Sequence, residues 1–180
     1  MVIAALRLRL RPLRADDAEP TAALMCEAIS RWTGSWRPRN TAAEVQARID
    51  RHLAAESEGR GVMRAIERTG DGQLMGWIGV DRLEDRPGRG VLGYWLGEAF
   101  WGQGYAGEAA AAMLAAAWDL LDLDVVEAGA QPANAASIAI LRRLGMDAIG
   151  ERSHLASARR TEEVCAYFEI RRPPASLAAR

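Results

Sequence analysis

Trp101-Gly102-Gln103-Gly104-Tyr105-Ala106-Gly107-Glu108-Ala109 is the stretch on which the reading of this chain turns. It lies between a strand-like run at about 91–96, Val-Leu-Gly-Tyr-Trp-Leu, and a long Ala-rich segment with helical character at about 105–121. Small residues at this density let the backbone turn tightly and present consecutive N–H groups at a helix N-terminus. With the positive end of the helix dipole behind them, those donors suit a pyrophosphate. A plain strand-to-helix turn is the simpler reading, but it needs fewer small residues than 102–107 supply.

Two nucleotide-type readings compete for the same glycines. Gly102, Gly104 and Gly107 satisfy the G-x-G-x-x-G spacing of a dinucleotide fold, with Glu127 near the place of a ribose-binding acid. Such a fingerprint starts almost where its strand ends, whereas Gly97-Glu98-Ala99-Phe100-Trp101 intervene here. The loop also sits mid-chain, not at the opening of an alternating strand–helix domain. A phosphate-loop NTPase is excluded, since the chain has no Lys.

Outward from the loop, strands and helices alternate irregularly. Towards the N-terminus, Gly70-Asp71-Gly72 marks a hairpin between strands Val62–Arg68 and Gln73–Val80. Thr41 caps a helix with Val45, Ile49 and Leu53 at helical spacing, and an irregular aromatic segment, 31–40, precedes it. Asp16 and Asp17 are candidate N-caps for a helix over about 18–30. Residues 6–14 alternate Leu and Arg with a period of two until Pro12, a strand with one buried face. Towards the C-terminus come a strand near 124–130, a helix at about 135–144 and strands near 148–155 and 163–170. No repeat or linker interrupts the pattern, which predicts one α+β domain over 1–172 and a flexible tail over 173–180.

The 180 residues are 49% hydrophobic and 26% charged, with a net charge of −1, enough for one substantial core. That balance argues against a nucleic-acid or membrane-surface role, which needs a concentrated basic face. Every basic residue except the two His is Arg, so the protein cannot acetylate lysines of its own. Cys26 and Cys165 lack metal-ligand spacing, and His52 and His154 form no cluster, so no metal is expected. Met1 to Leu10 does not read as a signal peptide and no apolar run spans a membrane, which predicts a cytoplasmic protein.

The ordered set of segments resembles the GNAT superfamily of acetyltransferases, in its RimJ/RimL-like branch. The resemblance rests on Leu8 to Arg14 with Asp16-Asp17-Ala18, on Gly93-Tyr94-Trp95-Leu96, and on Trp101 to Ala106 with Glu108-Ala109. Asn134-Ala135-Ala136-Ser137 to Leu144-Gly145-Met146 completes it. It implies a mixed, mostly antiparallel sheet, splayed at the cofactor site and flanked by helices on both faces. It also implies an acetyl-CoA-dependent N-acetyltransferase that transfers directly to an amine.

By the same resemblance, the amides of Gly102, Gln103, Gly104, Tyr105, Ala106 and Gly107 hold the pyrophosphate of acetyl-CoA. Tyr94, Trp95 and Leu96 border the pantetheine arm, and the Leu96 amide faces the thioester carbonyl. Asn134 is an N-cap that also contacts the arm, and Ser137 stands near the sulfur to protonate the departing thiolate. Trp101 replaces a usual Gln or Arg, and Gly107 a frequent Thr.

An attacking amine must be neutral, so a base or a water has to take its proton. The family's carboxylate position falls near Gly90, which leaves Glu98 as the favoured base, with Asp81, Glu162 and Glu163 behind it. Trp32, Trp36 and Trp77 are candidates for the acceptor side, although aromatics at such spacings commonly belong to a core. The branch points to a protein N-terminal α-amine as acceptor, small amines being the other class, and is compatible with a homodimer. Two alternatives stand beside the transferase: a dinucleotide-binding oxidoreductase, and a non-catalytic acyl-CoA-binding module of the same fold.

Overall fold

The computed structural model describes residues 1–174. Its strands are β1 (Ile3–Ala4), β2 (Leu8–Pro12), β3 (Gly61–Arg68), β4 (Leu74–Arg82), β5 (Arg89–Leu96), β6 (Val125–Ala130), β7 (Asp147–Ala156) and β8 (Thr161–Arg171). The helices are α1 (Ala18–Leu24), α2 (Glu27–Ser30), α3 (Ala42–Ser57), α4 (Tyr105–Leu120) and α5 (Ala135–Arg143). All eight strands share one sheet in the order β1-β2-β3-β4-β5-β6-β8-β7. Only β5 and β6 pair in parallel; the other neighbours are antiparallel.

Strand alternation sorts the side chains between two cores. Leu92, Leu96, Val126 and Ala128 face α4 and α5, packing with Met113, Leu114 and Leu141. Trp77 and Trp95 point the other way and pack with Met25, Ile29, Trp36, Val45 and Ile49 beneath α1, α2 and α3. Helices therefore cover both faces, as the mixed α+β reading requires. The long Ala-rich helix α4 suits its place: Ala109, Ala110 and Ala117 are buried without bulk, letting its axis approach the sheet closely.

The N-terminal helical region differs from the single helix expected over 18–30. Met25 adopts extended geometry, which ends α1 and starts a separate turn. Nor does Asp17 cap α1 with its side chain. It is held by Arg11, at 2.7 and 2.8 Å, and accepts the Arg14 amide at 2.8 Å. The buried guanidinium of Arg11 also reaches Glu67, so this acid was drawn into an ion network instead of a cap. Thr41 does cap α3, in a reciprocal box with Glu44, but Leu53 is exposed. Of the expected tail, Pro173 and Pro174 are exposed, and residues 175–180 lie outside the described residues.

Candidate functional site

β5 and β6 pair only over Arg89↔Val125, Gly90↔Val126 and Val91↔Glu127. Beyond that point each strand stays with its other neighbour: β5 remains on β4 to Leu96, and β6 on β8 to Ala130. The sheet therefore opens into a cleft between them. Backbone direction follows from the ladders. The Gly97 amide donates to Met75 and the Leu83 amide to Arg89, so odd-numbered residues of β5 serve β4. Alternation turns the N–H and C=O groups of Leu92, Tyr94 and Leu96 towards the cleft. On β6 the Arg172 amide donates to Asp124, which leaves Gly129 facing the cleft from the other side. A linear amide-bearing ligand finds there two strand edges that the fold itself does not pair.

The glycine loop stands at the upper end of this cleft. Gly102 and Gly104 take positive φ, 72° and 83°, where a Cβ brings strain, and Gly104 is the N-cap of α4. The Trp101 amide returns to Glu98 and the Glu108 amide to Gly104. Between them, the amides of residues 102–107 have no partner among the described residues. Trp101, in place of the family's usual residue, fastens the loop: its indole N–H donates to the Leu96 carbonyl at 2.9 Å. That bond occupies the carbonyl and leaves the Leu96 amide as the free group at the end of β5. At Gly107 a Cβ would meet nothing within 4 Å, so the missing Thr leaves a site that could hold one.

Sequence reasoning missed Arg7. It lies between β1 and β2 and reaches the loop from the far side: its Nε donates to Glu108 Oε2 at 2.8 Å and its Nη1 to the Gln103 carbonyl at 3.2 Å. Its guanidinium stands 4.4 Å from the centre of the Tyr105 ring. The alternation of Arg and Leu at 6–11 showed that Arg7 is surface-facing, but nothing local showed what it meets.

Asn134 is confirmed as an N-cap, its Oδ1 accepting the Ser137 amide at 3.1 Å. Ser137 Oγ lies 2.9 Å from the Tyr94 hydroxyl, which bridges β5 to α5 across the cleft. Burial pushes the Tyr94 phenol above its ordinary range, so it keeps its proton. Trp95, by contrast, turns its backbone to β4 and its indole into the aromatic core, away from the cleft.

The carboxylates are distributed unexpectedly. A Cβ on Gly90 would stand 2.7 Å from Val80 Cγ1 and 2.8 Å from Leu123 Cδ1, so packing excludes any side chain there. Glu127 is fully buried and takes Arg86 and Arg152, each at 2.7 Å, together with Arg89. Burial opposes its charge, but these hydrogen bonds win and hold its pKa low. Enclosed in that way, it cannot bind a ribose, which removes the acid that the dinucleotide reading needs. Glu98 is exposed in the turn after β5, with Cys26 Sγ 3.8 Å from its Oε2. Glu163 is tied to Arg159 and Gln131, and Glu162 to Ser153.

Two of the acceptor-side candidates need correction. Trp77 is 1% exposed and donates to Thr21 Oγ1 at 3.0 Å, and Trp36 is buried edge-on against it at 5.2 Å. Both fill the core under α3 and line no opening. Trp32 is half-buried with the Arg31 guanidinium 4.6 Å from its ring. Among the described residues, no helix is long and apolar enough to cross a membrane.

The cleft and loop agree with what comparison finds. A family model described as an acetyltransferase (GNAT) domain matches residues 7–147. The uncharacterized N-acetyltransferase p20 of Bacillus licheniformis is 32% identical over 78 residues, 43% of this chain and 44% of that protein, so the match spans less than half of the relative. RimJ of Mycobacterium smegmatis, solved with a CoA-disulfide, superposes with a TM-score of 0.84 at 20% identity over 95% of this chain and 87% of its own. An acetyl transferase of Salmonella typhimurium that modifies the N-terminal serine of ribosomal protein L7/L12 gives 0.82 at 17% identity, over 96% and 100%. At these identities the structural likeness speaks for the fold, while the family match covers most of the chain. The chain belongs to the GNAT family of acetyltransferase domains, which it matches over residues 7–147.

Proposed function

We propose that the protein, acting as one unit over residues 1–172 in the cytoplasm, moves an acetyl group from acetyl-CoA directly onto the N-terminal α-amine of a protein. One observation carries the reading. The unpartnered amides of 102–107 lead into unpaired strand edges, which end beside the Tyr94–Ser137 hydrogen bond at 2.9 Å. The likeness in fold to enzymes that modify ribosomal-protein N-termini supports the acceptor class.

The donor supplies a thioester open to attack by a neutral amine. In this reading the 102–107 amides hold the pyrophosphate, while Leu92, Tyr94 and Gly129 hold the arm through their backbone groups. The Leu96 amide, its own carbonyl already satisfied by Trp101, donates to the carbonyl oxygen as negative charge builds there. Tyr94 donates to Ser137 Oγ and thereby frees the Ser137 proton for the leaving sulfur. Glu98 takes the proton of the amine, directly or through a water. Cys165 does not serve as an acyl carrier: it is buried, and burial raises its thiol pKa.

The test is incubation with acetyl-CoA and a peptide with a free N-terminus, following thiol release and peptide mass together. Equal release and N-terminal acetylation are expected. Binding of acetyl-CoA without transfer to any amine would instead make the protein a non-catalytic module.

A further inference from the structure

The sheet face opposite α4 and α5 carries an arrangement that the transfer reaction does not account for. Gly93 on β5 and Gly129 on β6 flank the cleft on this face, both exposed, and a Cβ on Gly93 would meet nothing within 4 Å. The two glycines form an open floor over the cleft. Tyr167 of β8 leans across Gly129: the nearest ring atom to a Cβ there would be Cζ, at 3.1 Å, so the hydroxyl end points towards the cleft. The Arg152 guanidinium stands 4.8 Å from the Tyr167 ring centre.

Beside this floor lies the group around Glu127, two residues back along β6, or about 7 Å at ordinary strand rise. Arg86 and Arg152 each spend a single Nη1 on Glu127, and Arg89 divides its Nη1 between Glu127 and Glu169. With Asp85 4.0 Å from Arg86 and Arg171 3.6 Å from Glu169, four guanidiniums answer three carboxylates. Arg86 and Arg152 are 38% and 40% exposed, and their other nitrogens make no hydrogen bond among the described residues. A single buried carboxylate does not require three arginines. The excess positive charge is held in fixed positions at the edge of the only glycine-floored approach to the cleft that this face offers among the described residues.

Resting on the transfer reading above, we infer that the acceptor is an acidic peptide segment. Its N-terminal amine enters over Gly93 and Gly129, past the Tyr167 hydroxyl. A carboxylate side chain within the next few residues engages the free donors of Arg86 and Arg152. The reach fits: about 7 Å along an extended peptide is two residues. Donor and acceptor then approach from opposite faces of the sheet and do not compete for space.

The experiment compares three peptides with the same N-terminal residue and acidic, neutral or basic residues at positions two to four. kcat/KM is measured at low and high salt with wild type and R86Q; Glu127 keeps Arg89 and Arg152 in that variant. The acidic peptide is expected to exceed the neutral one about tenfold at low salt, mostly through KM, and the ratio to shrink as salt screens the charges. R86Q is expected to bring the acidic-to-neutral ratio towards one. Turnover indifferent to peptide charge, or favouring the basic peptide, overturns this inference and leaves acetyl transfer standing. Absence of turnover on all three overturns both.

Discussion

Arg7 and Glu108, 101 residues apart, form a two-point clasp at the base of the glycine loop. The Arg7 amide donates to Glu108 Oε1 at 2.6 Å and its guanidinium to Oε2 at 2.8 Å. A carboxylate in the first turn of α4 would oppose an anion bound at the same helix end, and the clasp both neutralises it and holds it aside.

R7M is therefore expected to weaken CoA binding about fivefold to tenfold. Acetyl-pantetheine, which has no pyrophosphate, should serve as donor as well as before. Because Arg7 is nearly half exposed, the loss of stability should stay below about 1 kcal/mol. Calorimetric titration with CoA and turnover of acetyl-pantetheine check the two halves. Equal losses on both donors would mean a general defect of the fold.

S137A should lower kcat about tenfold to a hundredfold and shift acetyl-CoA affinity by less than about threefold. Y94F should give a smaller loss in the same direction, since Ser137 keeps its own proton when its partner is removed. Steady-state kinetics with a peptide acceptor measure both, and an undiminished kcat in S137A would remove the acid role.

W77A should destabilise the protein by about 3–5 kcal/mol through the cavity it leaves beside Trp36 and Trp95. Its KM for the peptide should stay near wild type in whatever fraction remains folded, as befits a core residue. Denaturant unfolding and kinetics on the folded fraction separate the two.

The aromatic segments illustrate where sequence reading stops. Trp36 and Trp77 have the composition of a binding surface, and only the packing of α1 and α3 on this face of the sheet turns them inward. The loop was legible because glycine at 102 and 104 is a backbone requirement, visible residue by residue. Thr41 and Asn134 were legible as caps for the same local reason. Arg7, Tyr167 and the arginines around Glu127 were not, since each acts through strands that neighbour one another only in the folded sheet. Gly90 falls between the two: its lack of a side chain was plain, but the packing against Val80 and Leu123 that enforces it was not.

His52 gives the fold an acid-sensitive point. Burial first, then the charges of Arg48 and Arg51, lower its pKa from 6.5 to about 4. Its ring packs edge-on against Trp77 at 6.1 Å. A depressed folded pKa means that the contribution is fully present above pH 6.5 and is lost progressively as pH falls towards about 4. Wild type should therefore lose melting temperature between these values, and H52L should lose less over the same window. Equal slopes for the two proteins would contradict this assignment.

The most direct test of the account is calorimetric titration of wild type and G104V with acetyl-CoA. Gly104 holds φ at +83°, a conformation that a β-branched residue cannot adopt without strain, and its place at the N-cap sets the direction of the 102–107 amides. The account predicts saturable one-to-one binding by wild type and a loss of at least about tenfold in the variant. A wild type that does not bind acetyl-CoA, or a folded G104V that binds it equally well, would contradict the claim that this loop seats the donor.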